Sequence, residues 1–144
     1  MANVIPDSFK TDLLKGTFNF DSSGGSTFKL ALYTDISGLT TSTTAFTTTN
    51  EVSTSGTSYS SGGNTLTNNG VAVSSNIAFV DFADLTFSSV TLSAVGALIY
   101  MSGGSNEAVL VLDFGGTKTA TNGYFVVQFP TASSSAAIIR LGNA

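Results

Sequence analysis

The chain has 144 residues, 42% of them hydrophobic and only 10% charged, with a mean hydropathy of +0.30. Wholesale disorder needs the opposite balance, so the composition excludes it, and the length fits one domain, 1–144, with a real core. A net charge of −4, with Lys10, Lys15, Lys29, Lys118 and Arg140 scattered along the chain, excludes the clustered cations that nucleic-acid binding requires.

The first 20 residues read as a helix and its lead-in. Pro6 precedes Asp7 and Ser8, either of which can cap, and Phe9, Leu13 and Leu14 form an apolar stripe that Gly16 ends. Two turns are too short to be stable alone, so the stripe must dock on something. Phe28, Leu30 and Leu32 then alternate with Lys29, Ala31 and Tyr33, the period of a half-buried strand.

The stretch TTSTTAFTTTNEVSTSGTSYSSGG, residues 40–63, has the composition of a linker. Linkers lack apolar anchors, however, and this one carries Phe46, Val52 and Tyr59 among threonines that favour strands. It is predicted to be an extended, mostly exposed arm or edge strand pinned by those three side chains.

Five further apolar runs follow, at 76–82, 85–101, 108–114, 124–129 and 136–141. NNG at 68–70, SGGSN at 102–106, GGTKTATNG at 115–123 and PTASSS at 130–135 read as the turns between them. Ser88-Ser89 reads as a bend, with a doubly covered central strand from 90 to 101. The sum is an all-β fold of about seven or eight strands, an antiparallel sandwich or jelly-roll-like domain with a short N-terminal helix and a long Ser/Thr-rich arm. The longest apolar run, AVGALIYM at 94–101, is far short of the ~20 residues of a membrane helix. The N-terminus lacks the basic flank and long apolar core of a signal peptide, so synthesis inside a cell without secretion is expected.

Chemistry is sparse. Histidine and cysteine are absent, which removes Ser-His-Asp and Cys-His catalysis, disulfides and the usual zinc sites. Asp81, Asp84, Asp113, Glu51 and Glu107 remain, and the expected role of Asp81 and Asp84 is to close strand ends and turns rather than to form a hydrolytic pair. No calcium loop of the D-x-D-x-D-G type occurs, and FGGTKTATNG lacks the phosphate-binding pattern. No catalytic residue, cofactor or metal is expected. Few charges beside 42 serines and threonines suggest a surface that rests against other subunits.

The order FKTDLLKGTFNF, TFKLALYTD, TTTNEVSTSGTSYSSGGNTL, DFADLTFSSVTLSAVGALIYMS, AVLVLDFGGTKTATNGYFVVQFP and AIIRL resembles a family of small virion structural proteins of tailed bacteriophages and prophages. The likeness spans nearly the whole chain and is most specific at LALYT, the TTTNEV…GG arm and SAVGALIY. It implies a non-enzymatic virion component made in the bacterial cytoplasm, with a capsid cement or decoration protein first. Such a subunit would be a homotrimer gripping the major capsid protein. A tail, head–tail adaptor, baseplate or fibre part is the second expectation, and a carbohydrate-binding virion module the third. Val95 stands where the family pattern leads one to expect a basic residue, which would make a contact there more apolar. Phe9, Leu13, Leu14, Phe46, Val52, Tyr59 and Val95 are the candidate interface residues.

Overall fold

A computed structural model describes residues 2–143. One helix, α1 (Asp7–Leu14), is followed by seven strands: β1 (Phe28–Tyr33), β2 (Asn64–Thr65), β3 (Asn68–Ser74), β4 (Ile77–Phe82), β5 (Leu85–Met101), β6 (Ala108–Val127) and β7 (Ile139–Leu141). They form two antiparallel sheets, β2-β1-β5-β6 and β3-β4-β7, in an all-β, sandwich-like arrangement.

The main core lies between the sheets. Leu30, Leu32, Ala97, Ile99 and Val109 from the larger sheet meet Val80, Phe82 and Ile139 from the smaller one. A ladder of rings closes one end: Phe9 lies 4.9 Å from Phe18, and Phe20 stacks on Phe28 at 4.6 Å. A second cluster, Ala31, Tyr33, Ile36, Leu39, Leu98, Tyr100, Ala108 and Val111, packs on the opposite face of the larger sheet. This explains why β1 and the C-terminal half of β5 are apolar at consecutive positions: both of their faces are covered.

α1 starts as predicted but without the predicted cap. Pro6 occupies the cap position in an extended conformation, no side chain caps the helix, and the Ser8 hydroxyl instead donates to the Thr43 carbonyl. Of the stripe, Phe9 is buried and Leu13 half-buried, whereas Leu14 is 86% exposed. Gly16 ends the helix at φ 78°, a conformation that glycine adopts without strain.

The other departures concern continuity. GGTKTATNG is not a loop between two strands, because β6 runs through it as one 20-residue strand. It stays paired with β5 by bulging: the register jumps from Gly96–Asp113 to Ala94–Lys118, with Gly115 and Gly116 at positive φ. Ser88-Ser89 is likewise a bulge within β5, with Ser89 at φ 55°, and does not divide the strand. NNG at 68–70 opens β3, and the turn falls at Ser75-Asn76, where both residues have positive φ, the type I′ geometry of a two-residue hairpin.

Candidate functional site: the arm and the exposed faces

The Ser/Thr-rich segment is ordered along the open edge of β1. The Val52 amide donates to the Leu32 carbonyl, and the Leu32 amide donates to the Tyr59 hydroxyl at 3.0 Å. The Thr34 amide reaches Asn50, the Leu66 amide reaches Phe28, and β2 pairs with Lys29 and Leu30 between them. The segment thus supplies the partners of a neighbouring strand while being mostly irregular. On the other side Ala45 bridges Glu107, and the Ala108 amide donates to Thr44.

Its composition makes this possible. Hydroxyls of Thr40, Thr47, Ser53 and Thr57 each accept the amide two residues on, at Ser42, Thr49, Ser55 and Tyr59. Each is a local turn that satisfies backbone without a strand. A run of serine and threonine is therefore a run of small turns, not free coil.

Three tyrosines and one carboxylate lock the segment down. Tyr33 donates to the Thr47 carbonyl at 2.6 Å and Tyr100 to the Gly62 carbonyl at 2.7 Å. Glu51 accepts from the Tyr59 hydroxyl, the Ser61 hydroxyl and the Gly62 amide. Burial, followed by the Glu51 charge, raises the pKa of Tyr33 and of Tyr100. Burial also raises that of Tyr59, reinforced by its bond to Glu51, while the Leu32 amide pulls the other way.

The candidate interface residues consequently separate. Phe9, Val52 and Tyr59 lie in the core and hold the fold, while Phe46 is half-buried and stacks on Tyr100 at 4.7 Å. Val95 is half-buried beside the second cluster and Leu13 beside the first. Of the seven only Leu14 is freely exposed. The N-terminal segment is likewise part of the fold: Val4 bridges Val111 and Phe9 belongs to the ring ladder, so removing residues 1–16 would open the core.

Of the carboxylates beyond Glu51, Asp81, Asp84 and Asp113 are engaged in local structure, whereas one buried oxygen of Glu107 has no hydrogen-bond partner among the described residues. Asp81 accepts from the Asn69 side chain and Asp84 from the Phe129 amide. The Gly115 amide, which caps the bulge, holds the Asp113 carboxyl below its usual pKa. Among the described residues no three His, Cys, Asp or Glu side chains gather as a metal site, and no helix is long and apolar enough to cross a membrane.

Sequence periodicity missed two exposed faces. One is the outer face of the far half of the β5–β6 ribbon, where Thr86 pairs with Val126 and Ser93 with Thr119, and where Ser88, Thr91 and Tyr124 are also exposed. None of these seven residues is charged; Lys118 lies beside them, and Tyr124 is 74% exposed. The other is on the smaller sheet, where Val71, Val73 and Leu141 stand open to solvent. Neither could be read from sequence, because apolar residues inside strands give no sign of which end of a sheet outruns its neighbour.

Comparison with protein-family models, curated proteins and solved structures finds no match.

Proposed function

We propose that the chain is a non-enzymatic structural subunit of a tailed-bacteriophage virion, a decoration or cement protein seated on the major capsid lattice and associating with itself as a trimer. The observation that carries this reading is the uncharged outer face of the β5–β6 ribbon. Protein interfaces are depleted of charge at their centre and enriched in tyrosine, and this face offers Tyr124 and Val126 in a field of hydroxyls. Serine and threonine on a paired, rigid ribbon lose little side-chain entropy on contact, unlike lysine or glutamate. A subunit that binds the assembled lattice and not its free precursor stabilises the lattice by linkage.

Particles of the phage or prophage that carries the gene provide the test. Quantitative mass spectrometry of purified particles should find the chain at a copy number on the order of hundreds, as a shell with many equivalent positions requires. The double variant Tyr124→Asp/Val126→Asp should fold normally, since exposed substitutions shift stability by about 0.5 kcal/mol or less, yet vanish from the particles. A copy number of about six to a few dozen would place the subunit in the tail or its adaptor. Absence from the particles would end the virion reading, and glycan binding by the isolated chain would then replace it.

A further inference from the structure

From Gly70 to Val80 the sequence GVAVSSNIAFV contains no charged residue. These residues form most of the β3–β4 hairpin, and the ladder register fixes which side chains share a face. Val71, Val80 and Ile139 lie in one row, and Val73, Ala78 and Leu141 in the next row on the same face. The first row reaches the core, with Val80 at 6% and Ile139 at 9% exposure; in the second, Val73 and Leu141 are 71% and 62% exposed. The inward face of the smaller sheet thus runs past the sheet it covers, and its tip is an uncovered apolar floor.

The edge of this hairpin is equally open. β1 is sheathed by the Ser/Thr-rich segment, β6 is broken by bulges and carries Lys118, and β7 is three residues long and carries Arg140. Those are the devices that stop strand edges from pairing. β3 has a bulge at its base, between Asn68 and Gly70, and then runs regularly through Val71, Ala72, Val73 and Ser74. Because Ser74 and Ile77 flank a two-residue turn, they form the closing hydrogen-bonded pair, and Ala72–Phe79 is the next such pair. The N–H and C=O groups of Val71 and Val73 therefore point away from β4, toward the open side.

We propose that β3 pairs antiparallel with β3 of a second copy of this chain, in register about Ala72. The strand is its own complement. With Ala72 opposite Ala72 of the other copy, Val71 falls opposite Val73, and the outward amides and carbonyls of these valines meet as hydrogen-bonded pairs. Valine lies against valine on the inner face, and no charge meets its like, as it would along a charged edge. The product is a continuous sheet β7-β4-β3-β3-β4-β7 with a twofold axis, on which the two apolar floors join. A twofold contact cannot close a ring of three, so in a trimeric assembly it joins neighbouring trimers. The proposal does not depend on the virion reading.

The chain has no cysteine, so Ala72→Cys introduces a single thiol. In the proposed register residue 72 is a non-hydrogen-bonded pair with a Cα separation of about 4.5 Å, within the range a disulfide spans. Under mild oxidant the full-length A72C protein should form a disulfide dimer at least about tenfold faster than Ser105→Cys, a thiol in the exposed 102–106 turn, at the same concentration. Adding Val73→Lys, at a site already exposed, should return A72C to the S105C rate with unchanged circular dichroism. Equal rates for A72C and S105C would overturn the proposal, as would a fast A72C reaction that Val73→Lys leaves untouched.

Discussion

Replacing Tyr59 by phenylalanine removes one oxygen and tests whether the Ser/Thr-rich segment is an integral edge of the fold. That oxygen accepts from the Leu32 amide at 3.0 Å and donates to Glu51 at 2.8 Å, in a side chain that is 3% exposed. Leu32 is fully buried, so its N–H would lose its partner with no water to replace it. An unsatisfied buried donor costs ~1–3 kcal/mol. The loss at Glu51 is smaller, because Ser61 and Gly62 still donate to that carboxylate. For a domain of this size each kcal/mol lowers Tm by about 3 °C, so Tyr59→Phe should melt roughly 3–9 °C below the parent. Tyr33→Phe is the internal comparison. It deletes a single bond, to the carbonyl of the half-buried Thr47, and should cost about 0.5–1.5 kcal/mol. Calorimetry on the two variants measures both values. A Tyr59→Phe protein that melts with the parent, or above the Tyr33→Phe protein, would mean that the segment does not supply the edge of β1.

Two further outcomes follow from the same region. The buried phenols Tyr33, Tyr59 and Tyr100 have pKa values raised above the unfolded value of about 10, so their contribution to stability is intact below that pH and is lost as pH climbs toward the folded values. In an alkaline titration their tyrosinate absorbance should appear together with the loss of circular dichroism; ionisation ahead of unfolding would refute their enclosure. Gly63→Ala should destabilise by about 3 kcal/mol or more, read by urea melts, since Gly63 sits at φ 72° and an added Cβ would strike the Leu30 backbone.

The fold class was legible because strand-forming runs with the right period are strong signals, and β1, β4, the C-terminal half of β5 and β7 lie within the segments predicted for them. Phe46, Val52 and Tyr59 correctly marked the 40–63 segment as anchored. What they anchor it to was hidden: a hydroxyl that accepts the amide two residues on looks, in sequence, the same as a hydroxyl facing water. The sign of the anchors was hidden too, and residues proposed as contacts proved to be core because a pinning side chain points inward by definition.

Glycine and asparagine gave the least reliable punctuation, and β6 shows why. Gly115, Gly116 and Asn122 all have positive φ, as a turn would require, yet none reverses the chain. A bulge and a turn ask the same backbone freedom of the same residues; they differ in whether a partner strand continues alongside. Here β5 does continue, and it bulges at Ser89, near the β6 bulge around Asn122. Thr91, two residues beyond the β5 bulge, bonds across to the β6 bulge: its hydroxyl accepts from the Asn122 amide and donates to the Asn122 side chain. The exposed ribbon that carries Tyr124 and Val126 exists only because these bulges are matched across the pair. The feature on which the functional reading rests is therefore a property of two distant segments together, and neither segment read alone could disclose it.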